Sequence, residues 1–425
     1  MHNLIATLAV ASAALQGVSA QLPARTNICY VSQPSDGSDA VPNILHAFDA
    51  CGTNGKIYFL DSLYNISTVM DTYLSNVEVN IEGTLLWSTN IDYWVKNSLP
   101  VGYLNQSTAW IFGGDNVLLQ GYNKGTFNGS GQVWYESIVA YYDNYPGRPH
   151  QITFGNLTNS VVGGMRFVQS QMWTMSIINS SNLLLESIYV NNTNSIPGAQ
   201  HPQNTDGADT LFSNNITFNG WTVDNGDDSI SCKANSTNIL IQNCTFYHGN
   251  GIAMGSIGQC DNQINVFANV TARDIVFNGA AQAVYIKTWA GIPSGNPPYP
   301  PNSGGGGLGY IKNLTFTNFT VNDIGQGKFA ALSIQQCYQA NQSIPNICDS
   351  SKMQISDVSW SNIQGTMNNS YVAALQCSGA VPCPGISIEN VDLTVVDTGK
   401  LATGYLCSNV SNPIGFTCTG VPRTH

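Results

Sequence analysis

Apolar and polar residues alternate along most of this chain with a period of two. Segments such as "NITFNGWTV" (215–223), "NILIQNCTF" (238–246) and "NLTFTNFTV" (313–321) each contain two apolar-x-apolar triplets. Successive side chains of a β-strand point to opposite faces, so this alternation predicts strands with one buried face. Helical periodicity is nearly absent. The best helix candidate, Val41 to Cys51, is expected to cap the N-terminal end of the strands.

The alternating segment is a repeat, and asparagine opens most of its copies. The clearest copies begin at Asn116, Asn159, Asn182, Asn215, Asn238, Asn269 and Asn313, and weaker ones begin at Lys352 and Gly385. One unit is too small to bury its own apolar face, so the units must stack. We predict an all-β fold, a right-handed parallel β-helix that forms one elongated domain over residues 21–425, with asparagine ladders along the stack. A β-propeller or a sandwich is the alternative, which the variable spacing of the repeats disfavours.

The first twenty residues form an apolar run that ends in "VSA", which is typical of a secretory signal peptide. No later apolar stretch is long enough to span a bilayer. About fifteen Asn-x-Ser/Thr sequons also suit a secreted glycoprotein. We therefore expect a secreted, extracellular monomer. The net charge of -11, with 14 basic residues, argues against nucleic acid as a partner.

Eleven cysteines in a secreted chain imply disulfide bonds. Close spacing predicts four local pairs: Cys29–Cys51, Cys337–Cys348, Cys377–Cys383 and Cys407–Cys418. Cys232, Cys244 and Cys260 remain, enough for one further bridge and one buried thiol. The sequence contains neither a C-x-x-C pair nor a His-rich cluster, so a zinc site is not expected.

Four aspartates lie between residues 204 and 233 in a chain that is otherwise poor in charge. Asp206 and Asp209 precede an apolar run, and Asp227 and Asp228 follow it. Stacked coils lie about 4.8 Å apart, so equivalent positions form a column. The strand register predicts that Asp206, the Asp227–Asp228 pair and Asn250 meet on three neighbouring coils at one exposed edge.

Grouped carboxylates suit either calcium binding or acid–base chemistry. Calcium prefers about six to eight oxygen ligands, and the three coils offer a few carboxylates together with Asn250, so a metal is the less favoured alternative. Crowded carboxylates drive their pKa values apart, so that one keeps its proton while another stays ionised. A hydrated acidic turn is the plain alternative for Asp227 and Asp228 alone, and the nearby "NTDG" segment disfavours it.

At these residues the chain resembles the polygalacturonase and rhamnogalacturonase family of pectin-cleaving glycoside hydrolases. The matching motifs are "NTDGAD" (204–209), "NGDDSIS" (225–231), "GIAMGSIGQ" (251–259) and "VYIKTWAG" (284–291), preceded by "GRPHQITF" (147–154) and "QSQMWTMSI" (169–177). The resemblance implies a pectin-lyase-like parallel β-helix and hydrolysis with inversion, without a metal or another cofactor. It implies that Asp227 is the general acid and that Asp206 and Asp228 hold the nucleophilic water. Inversion predicts that acid and base lie about 6.5–9.5 Å apart.

Two positions depart from the polygalacturonase pattern. The family's Gly-His-Gly aligns either with Asn250, which the strand register favours, or with His248. Arg-Ile-Lys is replaced by "YIK", so that Lys287 is kept and Tyr285 replaces the arginine, as in the rhamnogalacturonase branch. An arginine lost here removes bidentate recognition of a galacturonate carboxylate. We expect His248 to be a further catalytic candidate, and we expect the substrate to contact Lys287, Tyr285, Asn250 and Asn204.

A long Pro/Gly-rich insertion, Ala290 to Tyr310, follows Lys287 directly. It is predicted to be a loop that either lies over solvent or closes one end of the cleft, and closure would make the enzyme exo-acting. From the resemblance we expect an exo-acting hydrolase that releases galacturonic acid from galacturonan or rhamnogalacturonan ends. The alternative is release of terminal rhamnose from rhamnogalacturonan. Two further alternatives are a non-catalytic polysaccharide-binding β-helix protein and a pectate lyase, which would need calcium and an arginine base.

Overall fold

The computed structural model describes residues 23–138, 147–199, 201–293, 304–325, 329–341 and 343–422. Within these ranges the strands form one large parallel sheet in which each strand pairs with its counterpart one coil further along the chain. This stacking of coils is the predicted all-β parallel β-helix. The predicted signal peptide, residues 1–20, lies outside the described residues.

The N-terminal coils contain two α-helices and nine strands. The helices are α1 (Val41–Cys51) and α2 (Ile91–Asn97). The strands are β1 (Asn27–Val31), β2 (Gly55–Phe59), β3 (Leu63–Ile66), β4 (Met70–Ile81), β5 (Thr84–Trp87), β6 (Leu99–Pro100), β7 (Ser107–Thr108), β8 (Trp110–Gln120) and β9 (Thr126–Asn128). Of these, β6 and β7 form a short antiparallel pair apart from the large sheet.

The central coils begin with α3 (Gln132–Ile138). Their strands are β10 (Ile152–Gly163), β11 (Arg166–Val168), β12 (Met175–Ile178), β13 (Ser181–Glu186), β14 (Tyr189–Asn191), β15 (Asp209–Leu211), β16 (Asn214–Asn219), β17 (Thr222–Asn225), β18 (Asp228–Cys232), β19 (Thr237–His248), β20 (Gly251–Ile257), β21 (Ile264–Asn278) and β22 (Val284–Trp289). The C-terminal coils contain β23 (Leu308–Ile324), β24 (Leu332–Tyr338), a 3-10 turn (Ile347–Asp349), β25 (Lys352–Met367), β26 (Tyr371–Gln376), β27 (Cys383–Pro384), β28 (Ile386–Val395), β29 (Gly404–Ser408) and β30 (Val410–Ser411).

The strands stack into three columns. The first, which we call the site column, runs through β12, β15, β18, β20, β22, β24, β26 and β29. The second runs through β13, β16 and the first parts of β19, β21, β23 and β25. The third contains β14, β17 and the later parts of those long strands. Each coil therefore returns the chain to the site column.

Apolar side chains at equivalent positions fill the interior of the coils. One such row on the second column is Leu183, Ile216, Ile239, Val270, Leu314 and Val358, all of them buried. The row two residues further along β13 continues the alternation, because Leu185 pairs with Phe218 and both are buried. The period of two in the sequence thus corresponds to an inside and an outside face, as predicted.

Asparagine ladders mark the corner where the chain enters the second column. Asn182 Nδ2 donates to Asn159 Oδ1 at 2.9 Å, and Asn215 Nδ2 donates to Asn182 Oδ1 at 2.9 Å. All three have positive φ angles, of 49°, 56° and 57°. Asparagine is one of the few residues that tolerates this left-handed conformation, so the repeat needs it both for the turn and for the ladder.

The helix α1 covers the N-terminal end of the core, as its sequence predicted. Its buried face includes Ile44 and Phe48, and the Phe48 ring packs against the rings of Phe59, Trp110 and Phe112. The short helices α2 and α3 were not predicted, because seven residues give too little periodicity to stand out. None of the helices in the described ranges is both long and apolar enough to cross a membrane.

The four predicted local disulfide bonds are all present. The expectation of one further bridge is wrong, because Cys232, Cys244 and Cys260 are all free. Cys232 lies in β18, Cys244 lies in β19, and Cys260 follows β20. The three thiols therefore lie at separate places in the stack.

The Pro/Gly-rich insertion is only partly described, since residues 294–303 lie outside the described ranges. Its last residues are not a loop, because β23 begins at Leu308. Gly306 donates its N–H to the carbonyl of Ala290 at 2.8 Å, which ties the two flanks of the insertion together. Closure of the cleft by this segment stays a prediction.

Candidate active site

Three of the four clustered aspartates meet on neighbouring coils of the site column. Asp206 precedes β15, while Asp227 and Asp228 lie where the next coil enters β18. One carboxylate oxygen of each lies within 4.8 Å of one oxygen of each of the others. The predicted clustering is therefore present. The predicted exposed edge is not, because Asp206 and Asp228 are only 3% and 1% exposed.

A register shift in β18 decides which residue faces which aspartate. Ile230 pairs with Ile252 as expected, but Asp228 pairs with Gly251 rather than with Asn250. Asn250 instead lies beside Asp227: its N–H donates to the Asp227 carbonyl at 2.9 Å, and its Nδ2 donates to Asp227 Oδ1 at 3.1 Å. Gly251 has a φ of 76°, and a Cβ there would come within 2.2 Å of the Gln282 carbonyl oxygen, so the turn requires glycine.

The Asp227 carboxyl group accepts hydrogen bonds at both oxygens. Oδ2 accepts from the Asn204 N–H at 2.8 Å, and Oδ1 accepts from the Asp228 N–H at 2.9 Å and from Asn250. Asn204 was expected to contact the substrate; it contributes its backbone to Asp227 instead. Burial, followed by the negative charge of Asp228, raises the pKa of Asp227 above its ordinary value. Asp227 therefore keeps a proton at a pH where an exposed aspartate has lost it.

Asp228 is fixed by Tyr285 and Lys287, the first and last residues of the "YIK" segment. Lys287 Nζ donates to Asp228 Oδ2 at 3.0 Å, and the Tyr285 hydroxyl donates to Asp228 Oδ1. Lys287 Nζ also donates to the Tyr285 hydroxyl oxygen at 2.8 Å. The two side chains were expected to contact substrate, but they are 6% and 7% exposed and both bind Asp228. Tyr285 and Lys287 are two residues apart in β22, so both side chains point to the same face of the strand.

This arrangement fixes the charge of Lys287. Burial disfavours the charged form of Lys287, but Asp228, together with Tyr338 and Asp227, outweighs burial and raises the pKa of Lys287 above its ordinary value. Burial and Asp228 also raise the pKa of Tyr285 well above its ordinary value, so the phenol remains a hydrogen-bond donor. Asp228 thus faces two permanent donors.

Asp206 differs from its neighbours because one of its oxygens has no protein partner. Oδ1 is buried and accepts no hydrogen bond within the described part of the chain. Burial, then Asp209, Asp227 and Asp228, raise the pKa of Asp206 well above its ordinary value. A buried acceptor beside two other carboxyl groups is suited to hold a polar atom of a ligand or a water molecule.

Sequence reasoning missed Arg148, although it noticed the "GRPHQITF" segment. Arg148 is 3% exposed and its Nη2 donates to the Gln203 carbonyl at 2.8 Å. Burial lowers its pKa to about 10, while the charges of Tyr135, Asp206 and Asp227 favour the cation. It therefore holds the segment before Asn204 and brings a positive charge near the aspartates. The chain has only 14 basic residues, so an arginine within a motif of the resemblance was the signal that could have identified it.

The fourth aspartate forms an ion pair of its own. Lys233 Nζ lies 3.0 Å from Asp209 Oδ1 and donates to Ser231 Oγ at 2.9 Å. The ammonium group also lies 4.8 Å from the centroid of the Trp173 ring. Burial raises the pKa of Asp209 to about 7 despite the opposing effect of Lys233. Asp209 therefore belongs to a second, buried pair and not to the group of three.

His248 belongs to a different cluster. Its Nδ1 lies 2.8 Å from Asp224 Oδ1, and its ring stacks on the His201 ring with centroids 4.4 Å apart. Of the two alignments that the sequence left open, Asn250 is the residue whose side chain contacts the Asp227 carboxyl group. Neither His201 nor Asp224 was singled out from the sequence.

Comparison with known proteins shows which protein family the chain is related to. The sequence profile named Glycosyl hydrolases family 28 matches residues 61–418. The chain belongs to this family. It is 48% identical over 420 residues to an alpha-L-rhamnosidase of Aspergillus niger, covering 98% of this chain and 95% of that one. It is 36% identical over 408 residues to a putative galacturan 1,4-alpha-galacturonidase A of Aspergillus flavus, covering 90% and 91%.

The fold relationship extends to solved structures. The endo-xylogalacturonan hydrolase from Aspergillus tubingensis superposes with a TM-score of 0.78 at 24% identity, covering 93% of this chain and 100% of that one. As a member of glycosyl hydrolases family 28, this chain is a glycoside hydrolase. The resemblance to the polygalacturonase and rhamnogalacturonase family is confirmed.

One geometric expectation for this family 28 chain is wrong. We expected acid and base to lie about 6.5–9.5 Å apart, but carboxylate oxygens of all three aspartates lie within 4.8 Å of one another. The reason is that Asp227 and Asp228 are adjacent in the chain, while Asp206 lies on the preceding coil, about 4.8 Å away. Separation alone therefore does not fix the stereochemistry.

The side chains around the three aspartates disfavour calcium in the family 28 site. Both oxygens of Asp228 already accept hydrogen bonds from Lys287 and Tyr285. Lys287 also supplies a positive charge at the place where a cation would have to bind. Calcium prefers about six to eight oxygen ligands, and these aspartates leave too few free.

Proposed function

We propose that this chain is a secreted, exo-acting, inverting hydrolase of pectin that releases terminal rhamnose from rhamnogalacturonan. Release of galacturonic acid was the first expectation from the sequence and release of rhamnose the alternative. The observation that carries the choice is that both lysines beside the aspartates already have carboxylate partners and that Arg148 is buried. Lys287 is bound to Asp228, and Lys233 is paired with Asp209. Arg148 is 3% exposed and donates Nη2 to the Gln203 carbonyl, while its Nε and Nη1 have no hydrogen-bond partner in the described ranges.

A galacturonate carboxylate needs a cation of its own. Burying an unpaired carboxylate is costly, and recognition usually relies on a charge-assisted hydrogen bond to arginine or lysine. Rhamnose has a methyl group in place of the carboxylate and needs no such partner. The alpha-L-rhamnosidase of Aspergillus niger, at 48% identity, supports the same choice over the galacturonidases at 36%.

In the proposed reaction Asp227 is the general acid. It donates its proton to the glycosidic oxygen as the bond from that oxygen to the anomeric carbon breaks. A water molecule held between Asp206 and Asp228 attacks the anomeric carbon and passes a proton to Asp228. Lys287 and Tyr285 stabilise Asp228 before the reaction, and the unpartnered Oδ1 of Asp206 accepts the second hydrogen of the water.

Inversion follows in this proposal from how Asp228 is bound. A retaining enzyme needs a carboxylate that forms a covalent bond to the sugar. Both Asp228 oxygens accept hydrogen bonds from protein donors, which reduces their nucleophilicity. Water is therefore the nucleophile, and a single displacement inverts the anomeric carbon.

Two further elements of the proposal rest on other observations. Four disulfide bonds are typical of proteins that fold in an oxidising compartment, which supports secretion. Exo action agrees with relatives such as exopolygalacturonase X of Aspergillus niger, which is 34% identical over 402 residues.

The test compares two rhamnogalacturonan oligosaccharides that differ in one terminal sugar. One ends in rhamnose at its non-reducing end, and the other is a residue shorter and ends in galacturonic acid. We expect kcat/KM for the first to exceed that for the second by about 100-fold or more, because a buried unpaired carboxylate is strongly rejected. Asp227→Asn serves as the control that activity comes from this site. Release of galacturonic acid at a comparable rate would contradict the proposal.

A further inference from the structure

We propose that His201, Asp224 and His248 form a binding site for a divalent transition metal, with Zn²⁺ as the preferred ion. One donor atom of each side chain lies within 4.8 Å of a donor atom of the other two. The three residues come from three separate segments: the turn before Asn204, the strand β17 and the end of β19. The site is distinct from the three aspartates and plays no part in the proposed hydrolysis.

The donor set is one that zinc prefers. Zinc is bound by imidazole nitrogens and carboxylate oxygens, and sites with three protein ligands keep a fourth position for water. Bond lengths of about 2.0–2.1 Å place tetrahedral ligand atoms about 3.4 Å apart. The donor atoms of the three side chains lie within 4.8 Å of one another, and His248 Nδ1 lies 2.8 Å from Asp224 Oδ1, so small side-chain adjustments would bring them to that spacing. His248 is 44% exposed and Asp224 is 25% exposed, which leaves one side open for entry of the ion.

His201 supplies the observation that an ordinary ion pair does not explain. The contact between His248 and Asp224, at 2.8 Å, accounts for those two residues as a surface pair. Nδ1 of His201, however, is buried and has no hydrogen-bond partner in the described ranges. An imidazole nitrogen is a common ligand of transition metals.

The site connects segments that also support the proposed general acid. The His201 segment continues to Asn204, whose N–H donates to Asp227, and Asp224 lies three residues before Asp227 in the chain. Packing between these segments is close, because a Cβ on Gly226 would lie 2.3 Å from the Pro202 carbonyl oxygen. An ion bound by all three ligands would fasten the two segments together and stabilise the folded chain.

The experiment is isothermal titration of the full-length secreted enzyme with Zn²⁺. We expect one ion per chain. His201→Gln should raise the dissociation constant for Zn²⁺ at least about tenfold, because the variant loses one of three ligands. His46→Gln is the matched control, because His46 is exposed on α1 and outside the cluster. Zinc should also raise Tm for the native chain and for His46→Gln, but much less for His201→Gln.

Asp224→Asn gives a second variant that keeps the size of the side chain and its hydrogen bond to His248. It should weaken zinc binding to a similar degree, and circular dichroism with Tm in a chelator establishes that both variants are folded. The proposal is overturned if the native chain binds no zinc at this stoichiometry. It is equally overturned if folded His201→Gln or Asp224→Asn binds zinc as tightly as His46→Gln.

Discussion

Asp227 and Asp228 are adjacent in the sequence, but the structure gives their carboxyl groups different partners. Asp227 accepts hydrogen bonds from two backbone N–H groups and from Asn250, while Asp228 accepts from Lys287 and Tyr285. A lysine cation therefore bonds directly to Asp228 only. Two aspartates with different surroundings can take different roles, one as the acid and one as the base.

Replacing Asp227 by asparagine tests the acid. The change keeps the size of the side chain and removes the proton donor, so kcat should fall at least about 100-fold. Asp397→Asn is the control, because Asp397 is exposed in a turn far along the chain. Steady-state kinetics with Tm as a check on folding measures the effect. Turnover near the native value in Asp227→Asn would show that another group donates the proton.

Replacing Lys287 by methionine tests how charge sets the pH dependence. Burial and Asp228 raise the pKa of Asp227, and Lys287 lowers it. Without the lysine the pKa of Asp227 rises further. Activity that needs protonated Asp227 is lost as pH rises through this pKa, so the alkaline limb of kcat/KM should move to higher pH. Lys312→Met, at an exposed position, should leave the limb in place. A limb that stays or moves to lower pH in Lys287→Met would contradict the assignment.

At the residue scale the sequence predicted which aspartates meet, because strand register determines that. It did not predict their partners. The register shift between Asp228 and Ile230 moves Asn250 onto Asp227, and no local pattern signals such a shift. The contacts of Lys287 and Tyr285 with Asp228 depend on how far apart two coils place their side chains, which a single sequence does not state.

The asparagine ladder forms the corner at which each coil enters the second column of strands. Asn182 lies in its middle, with a positive φ and one hydrogen bond to each neighbour, Asn159 and Asn215. Its side chain is exposed, so the ladder contributes through backbone conformation as much as through the hydrogen bonds.

Two substitutions at Asn182 separate these contributions. Asn182→Ala loses the ladder and places an unsuited residue in the left-handed region, which should destabilise the fold by about 2 kcal/mol. Asn182→Gly loses only the ladder and should be about 1 kcal/mol more stable than the alanine variant. Urea unfolding of both variants and the native chain measures the free energies. Equal stability of Ala and Gly would mean that backbone conformation is unimportant at this corner.

At the element scale the strands and α1 followed from periodicity, and the local disulfides followed from spacing. The helices α2 and α3 did not, because each has seven residues and begins and ends within loops between coils. The idea of a bridge among Cys232, Cys244 and Cys260 failed for a related reason. Spacing in sequence indicates proximity only for residues on the same turn, and these three lie at different places in the stack.

The molecule as a whole places polar groups inside its stack, and His150 is the clearest of them. Its ring is fully buried, stacks on Trp173 with centroids 4.5 Å apart, and contacts Ser176 and Gln106. Burial, together with the charges of Lys233 and Arg148, lowers the pKa of His150 to about 3. The folded chain thus holds this histidine neutral.

This makes stability depend on pH in a definite direction. Below about pH 6.5 the unfolded chain binds a proton at His150 that the folded chain does not, so the stabilisation is complete above that pH and is lost as pH falls towards 3. Between pH 7 and pH 4.5 the native chain should lose about 2 kcal/mol more than His150→Gln does. Urea unfolding of both proteins at the two pH values gives the comparison. Equal losses would mean that His150 is not the group that titrates.

For the whole molecule, we propose that Asp206, Asp227 and Asp228 release terminal rhamnose by a single displacement. Proton NMR of the sugar first released from a rhamnogalacturonan oligosaccharide that ends in α-linked rhamnose tests this. We predict β-rhamnose as the first-formed anomer, which then equilibrates slowly with the α form. First-formed α-rhamnose would contradict the single displacement, and first-formed galacturonic acid would contradict the assigned substrate.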